Sequence, residues 1–305
     1  MSMAGLKYYL SDPKHLFDFF ASRGLLNRMS DEKYLKIKFK NTLGYALNLN
    51  EPKTYNEKLQ WLKLHDRNPL YTQLVDKYEV RKFIAEKIGE EYLIPLIGGP
   101  WDSVDEINFD SLPEQFVLKC THDSGGVIVC RDKAALDIEA AKAMLKKRLG
   151  RNYYWANREW PYKNVKPRII AEKYMEDESG ELRDYKFFCF NGETRILFIA
   201  TDRISETEET KFDFFDMDFR HLDIKNGHDN ASCSIAKPQS FEKMKELCAA
   251  LSKNLPHVRV DLYEINGKPY FGEMTLYHWS GFVRFSPEEW DKTMGSWLVL
   301  PREKI

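Results

Sequence analysis

Val258 to Gly281, VRVDLYEINGKPYFGEMTLYHWSG, brings two carboxylates close together across a hairpin. Val258, Val260, Leu262 and Tyr263 form a β-rich run around Asp261. Tyr270, Phe271 and Met274 form a second run around Glu273. Asn266-Gly267 between them is a strong turn signal. A two-residue turn there sets Asp261 opposite Gly272 and sends Glu273 to the other face. A three-residue loop, Ile265-Asn266-Gly267 with Gly267 left-handed, pairs Glu264 with Lys268. Asp261, Glu273 and Thr275 then share a face, with Arg259 opposite Glu273. Two carboxylates and a hydroxyl suit Mg²⁺, which takes a few protein oxygens and completes its shell with phosphates. The competing account is a surface hairpin with solvated acids.

At 305 residues the chain can bury a large core, as one domain or as two to three packed lobes. Its 46 basic and 47 acidic residues leave a net charge of −1, so nothing in the balance points to nucleic acid. Aromatics make up 14%, enough for well-filled cores and a sugar-stacking surface. Cys120, Cys130, Cys189, Cys233 and Cys248 show no CxxC pair and no zinc spacing. Scattered and odd in number, they fit reduced thiols in the cytoplasm. The N-terminus lacks a signal-peptide pattern, and no run reaches the ~20 apolar residues of a membrane span. Lys7 to Arg28 suits an amphipathic helix, packed on the protein's own core or docked peripherally on a membrane. The expected location is the cytoplasm, with the inner face of its membrane open as a contact.

Along the chain, residues 1–75 read mainly as helices, for example Asn56 to His65, and Asp76 to Lys87 as another. Phe116 to Cys120 is a buried strand, broken at Ser124-Gly125-Gly126 and resumed by Val127 to Val129 as a hairpin. Asp137 to Leu149 is a basic helix and Arg168 to Met175 a strand. Asp184 to Ala200 holds two strands joined at Asn191-Gly192, and Phe241 to Leu255 is a helix. Hairpins in this order give α+β rather than repeated βαβ units.

Lys119 is a charge inside an apolar strand, just before the Gly loop. A loop N–H cradle plus a lysine point charge holds phosphates, although an edge-strand lysine also snorkels to solvent. Glu172-Lys173-Tyr174-Met175 ends a strand and exposes backbone that can read a base edge. Asp184 and Lys186 share one face of their strand. Asp216-Met217-Asp218 is a DxD triplet, the weak mark of a metal-dependent glycosyltransferase.

In order, Lys77, Lys119 with its Gly loop, Glu172 to Met175, Asp184, Lys211, Arg259-Val260-Asp261 and Gly272 to Thr275 resemble the ATP-grasp fold. The wording is similar to its TupA-like branch, found in polysaccharide loci. TYNEKLQWLKLHDRNPLYTQLVDKY from Thr54, LPEQFVLKCTHDSGG from Leu112 and RIIAEKYMEDESGELRDYKFFCFNGE from Arg168 carry the likeness. The resemblance implies an α+β fold whose two antiparallel-sheet lobes clamp ATP. It divides the chain into a helical region (1–75), an N-terminal lobe with a Gly-rich lid (76–168) and a C-terminal lobe with the metal site (169–305). Lys77, Lys119, Ser124, Gly125 and Gly126 would hold the phosphates. Glu172, Lys173 and Met175 would frame the adenine, with Asp184 at the ribose and Lys211 as a further nucleotide contact. Asp261, Glu273 and Thr275 would carry Mg²⁺, with Thr275 standing where the fold usually has Asn. Arg259, Lys119 and the Gly281 N–H would serve catalysis.

The implied reaction is an ATP- and Mg²⁺-dependent joining of a carboxylate to an amine through an acyl phosphate. The partners would be a small amine or amino acid and a carboxylate-bearing glycan or its precursor in surface-polysaccharide assembly, with no nucleic acid. A glycosyltransferase using Asp216 and Asp218, or a sugar kinase, is the alternative. As an acid at a strand end, Asp261 is expected to be exposed, so that Asp261→Asn would abolish turnover without harming the fold.

Overall fold

The computed structural model describes residues 13–177, 182–201, 209–232 and 234–301. Helices α1 (Pro13–Ser22) and α2 (Asp31–Leu43) open the described chain. Phe17 and Ala21 of α1 pack beside the buried Tyr34, Phe39 and Phe282, so this helix rests on the protein's own core. Helix α3 (Tyr55–His65) starts where Thr54 and Glu57 cap each other reciprocally, the side chain of each accepting the other's backbone N–H. The helix expected over Asp76 to Lys87 instead starts only at Val80. Helix α4 (Leu70–Val75) ends before Asp76, and α5 (Val80–Lys87) follows a turn. Asp76 Oδ1 accepts the Tyr78 N–H at 2.8 Å, and Lys77 N–H reaches Thr121 O at 3.0 Å. That turn carries Lys77 to the neighbouring sheet.

Strands β1 (Leu96–Trp101), β2 (Phe116–Cys120), β3 (Val127–Cys130) and β4 (Ile169–Lys173) form a four-stranded antiparallel sheet in the order β1-β4-β2-β3. Helix α6 (Ile138–Leu149), capped by the Asp137 side chain, covers one face through Leu145. The short helix α7 (Tyr154–Asn157) precedes β4. Strand β4 pairs within this first sheet, so the crossing between sheets falls after Lys173, not at residue 168.

Strands β5 (Asp184–Phe190), β6 (Glu193–Thr201), β7 (Lys211–Asp216), β8 (His221–Leu222), β9 (His257–Ile265) and β10 (Lys268–Thr275) form a six-stranded sheet, β10-β9-β5-β6-β7-β8. Helix α8 (Phe241–Ser252) lays Met244, Cys248 and Leu251 against one face, over Phe187, Leu197 and Val260. Helix α9 (Glu289–Trp297) closes the C-terminal side. Among the described cysteines, Cys120, Cys130, Cys189 and Cys248 are free and buried; Cys233 lies outside the described residues. No described helix is long and apolar enough to cross a membrane.

The hairpin of β9 and β10 corrects the expected turn. Asn266 (φ +49°) and Gly267 (φ +77°) make a two-residue turn, with Lys268 opposite Ile265 rather than Glu264. Pairing continues through Phe271 and Leu262. It then slips by one residue at Gly272, so that Glu273 faces Asp261 and Thr275 faces Arg259. A β-bulge, not a longer turn, brings the two acids to one face. Arg259 accordingly lies opposite Thr275, not Glu273. A Cβ on Gly272 would sit 3.0 Å from both Asp261 O and the Tyr263 ring. Gly272→Ala should therefore cost about 1–3 kcal/mol by overpacking and pull Glu273 out of register. A lowered thermal midpoint together with lost ATP turnover checks this.

Candidate active site

A cleft of about 710 Å³ lies between the two sheets. It gathers Lys77, Lys119, Ser124, Gly125, Glu172, Lys173, Met175, Asp184, Asp261 and Glu273 from the residues expected at a site. The apolar wall comes from Ile94, Val117, Val127, Val129 and Ala200, and the isopropyl group of Val129 on the lid strand is half-exposed.

On the first sheet, Lys119 Nζ lies 2.5 Å from Glu172 Oε2, and Arg81 Nη1 reaches Glu172 Oε1 at 3.2 Å. These are neighbours because β2 pairs with β4, setting Val117 against Glu172 and Lys119 against Ile170. The Glu172 carboxylate is thus engaged by two cations, and its effect is to hold Lys119 in place. Lys77 Nζ donates to Asp123 O at 2.6 Å at the base of the Gly loop. Asp123 itself is buried, turned away from the cleft towards Arg148 at 3.5 Å. Gly126 is the floor of that loop: a Cβ there would meet Asp123 Oδ1 at 2.6 Å and Cys120 Cβ at 2.8 Å. Ser124 and Gly125 are exposed above it.

On the second sheet, Arg259 grips Asp261 with Nε–Oδ1 and Nη2–Oδ2 bonds of 2.7 Å each. Lys186 bonds the same carboxylate from β5, and its Nζ also lies 2.6 Å from Asp184 Oδ2. Asp261 is only 2% exposed, so it is a buried, doubly paired acid and not the exposed strand-end acid expected. Burial raises its proton affinity while Arg259 and Lys186 pull it down. Glu273 is different. Its side chain is 42% exposed to the cleft, and Thr275 Oγ1 donates to Oε1 at 2.7 Å. Against the desolvation that raises it, the charges of Lys77, Arg259 and Lys186 hold its carboxyl at about 2, from an ordinary 4.5. Thr275 Oγ1 in turn accepts from Arg259 Nη2 at 3.0 Å.

Arg259 reaches back as well, with Nη1 2.7 Å from His278 Nδ1. Burial and then the Arg259 charge hold His278 well below its usual value. A neutral ring then accepts at Nδ1 and donates from Nε2 to Asn226 Oδ1 at 2.8 Å. The next three residues, Trp279, Ser280 and Gly281, all have positive φ (+48°, +55° and +66°). Two of them are not glycine, and each such residue costs of order 1–3 kcal/mol. Groups from α3, from α7 and from Glu159 just beyond it hold the turn. Lys63 Nζ donates to Ser280 O at 2.7 Å, and Gln60 Nε2 donates to Ser280 O and Gly281 O at 3.0 and 2.9 Å. Asn157 Nδ2 donates to Ser280 Oγ at 2.8 Å, and that hydroxyl donates to Glu159. Burial drives the Lys63 ammonium down to about 7.

Several expected residues fall outside the cleft lining. Gly281 packs on α3, where a Cβ would meet Gln60 Nε2 at 2.4 Å, so its N–H sits behind the site. Arg259 and Thr275 lie behind the two acids, and Lys211 starts β7 beside Thr201. Asp216 and Asp218 form an exposed turn: Asp216 Oδ1 accepts the Asp218 and Arg220 N–H groups at 2.9 and 2.8 Å, and Arg220 pairs with Asp218. Neither lines the cleft. Lys186, Arg131 and Arg183 do line it. Lys186 could have been found, because its strand alternation with Asp184 already put both on one face.

The acid pair fits Mg²⁺ by its donor chemistry. Among the described residues no group of three His, Cys, Asp or Glu side chains can hold a metal. The protein therefore offers Glu273, Asp261 and the Thr275 hydroxyl, all hard oxygens, and leaves the rest of the shell to phosphate and water. Glu273 is the open donor; the Asp261 oxygens are engaged by Arg259 and Lys186.

A search among curated proteins finds no match to the chain. Among solved structures, N5-carboxyaminoimidazole synthase from Aspergillus clavatus with ADP and 5-aminoimidazole ribonucleotide is similar at 12% identity (TM-score 0.40; 68% of this chain, 46% of that one). D-cycloserine synthetase DcsG is 19% identical (TM-score 0.39; 68% and 64%), so this chain spans less than two thirds of either. D-alanine–D-alanine ligase from Bacillus anthracis with ATP is 15% identical (TM-score 0.40; 87% and 82%). A family model described as TupA-like ATPgrasp matches residues 57–299. Covering most of the chain, that match and the two antiparallel sheets around the cleft mean that the chain belongs to the TupA-like ATP-grasp family and has the ATP-grasp ligase fold.

Proposed function

We propose that this protein is an ATP-dependent carboxylate–amine ligase forming an amide through an acyl phosphate. The observation that carries it is the cleft's asymmetry. Lys77 and Lys119 stand on one wall, and Glu273 beside Lys186 and Asp261 stands on the other, with Arg259 behind it. A triphosphate needs the first wall. Transfer of its terminal phosphoryl group needs charge neutralisation at the second.

In this reading Lys119, held by Glu172, and Lys77 bind the phosphates, and Ser124 to Gly126 close over them. The apolar wall takes the adenine, with Lys173 and Met175 at its edge and Asp184 towards the ribose. Mg²⁺ held by Glu273 and Asp261, with Thr275 adjacent, would screen the phosphoryl charge. The substrate carboxylate attacks the terminal phosphorus and ADP leaves. The amine then attacks the acyl carbon, loses a proton and expels phosphate. Arg259 keeps the acids in place from behind, and the lid excludes water from the acyl phosphate.

The carboxylate is that of a uronic acid in a surface polysaccharide or its precursor, and the amine is an amino acid or a small amine. In this reading the protein works in the cytoplasm, at the inner face of the membrane. The two sheets act as the lobes of the clamp. ADP and phosphate released only when carboxylate and amine are both present would support this. Cleavage of a UDP-sugar without ATP would favour the glycosyltransferase, and ADP without phosphate would favour the kinase.

A further inference from the structure

The turn that follows β10 presents an exposed tryptophan from a strained backbone. Trp279 is 43% exposed although φ is +48° there and +55° at Ser280. Neither property stabilises the fold: the ring is left partly in water, and the left-handed region disfavours bulky side chains. Gly281, next in the turn, shows that the backbone path is open to glycine. The conformation persists because Lys63, Gln60, Asn157 and Glu159 fix Ser280 and Gly281 from below. Strain held this firmly is a mark of a functional surface.

The ring is backed, not loose. Phe212 stacks on it at 6.2 Å and 26°, His228 lies 6.0 Å away, and a Cβ on Gly227 would come within 3.4 Å of the indole. Phe212 pairs with Ala200, which lines the cleft. On the other side Trp279 follows His278, whose Nδ1 is bound to Arg259. The indole therefore lies on the cleft face of the six-stranded sheet, at the rim beyond the cleft-lining residues and joined to the acid pair through His278 and Arg259, with His228 and Gly227 of the polar segment Asn226 to Asn230 against it. A flat, rigid, half-wet ring among polar groups suits a ligand with one apolar face and a polar rim. A pyranose has that form: its axial C–H groups make the face and its hydroxyls the rim.

We propose that Trp279 is the stacking platform for the pyranose ring of the carboxylate substrate. This rests on the ligase reading and adds the residue that selects the sugar. The test is saturation-transfer NMR on the full chain with methyl β-D-glucopyranosiduronate, and then with UDP-glucuronate, as probes. Wild type, Trp279→Phe and Trp279→Ala are compared, and ATP affinity measured alongside reports whether each variant is folded. Transfer to the ring C–H protons should appear in the wild type and persist with Phe. With Ala, affinity should fall at least about fivefold, as when a stacked ring loses its aromatic partner. Preference between the two probes tells a free or polymer-borne uronide from a nucleotide-linked one. Equal transfer with Ala, or none in the wild type while ATP still binds, overturns the proposal. Failure of ADP release with every carboxylate and amine would remove the ligase reading and leave this binding result standing.

Discussion

Glu273→Gln should lower kcat by about 10²–10³, the usual loss when one preorganised charge is removed from a transition state, with a modest loss of thermal stability at neutral pH. The side chain is 42% exposed and its partners, Thr275 at 2.7 Å and Arg259 at 4.0 Å, keep other contacts. The amide preserves shape and removes the charge that a phosphoryl-bound cation needs. Acid unfolding gives an independent reading of the same group. A carboxyl held at about 2 when folded and 4.5 otherwise contributes stability that is present above pH 4.5 and is lost as pH falls towards 2. Wild type should therefore lose more stability than Glu273→Gln across that interval. Parallel acid curves would show that Lys77, Arg259 and Lys186 do not act on this carboxylate.

Asp261→Asn should lose both activity and stability. Removing its charge leaves Arg259 and Lys186 buried without their shared counterion, and breaking a buried pair in this way costs about 3–5 kcal/mol. The thermal midpoint should fall by several degrees, further than with Glu273→Gln. Lys186 keeps Asp184 at 2.6 Å, so the unpaired charge falls chiefly on Arg259. An Asp261→Asn protein as stable as wild type would mean that the Arg259 fork and Lys186 contribute nothing at this site.

The contrast between these two acids marks where the sequence could and could not be read. Asn266-Gly267 announced the hairpin, and the β-rich runs announced its strands. The register needed one more fact. Gly272 inside an apolar strand is a bulge signal, and a regular pleat carried through it puts Glu273 on the wrong face. A longer turn repairs the parity as well, which is why counting alone chose Ile265-Asn266-Gly267. Burial of Asp261 was also encoded, in Val258, Val260 and Leu262 alternating with Arg259 and Asp261. That alternation reads equally as a half-solvated strand, and only packing by β5 and the turn at His278 makes both faces interior. Lys119 and the Gly loop were legible because a lysine in an apolar strand is a local anomaly, whereas Lys77, in a turn between two helices, came only with the family resemblance. The clamp on Trp279 to Gly281 was not, since Lys63, Asn157 and Glu159 meet it from distant parts of the chain.

The acyl phosphate is tested most directly by isotope transfer. With both carboxylate oxygens of the acid substrate labelled with ¹⁸O, the attack on ATP places one labelled oxygen in the bridge to phosphorus. Amine attack at carbon then leaves that oxygen with the departing phosphate and the other in the amide. The prediction is one ¹⁸O in the released phosphate for each amide formed, with ADP as the nucleotide product. Unlabelled phosphate, or AMP with pyrophosphate, would contradict it.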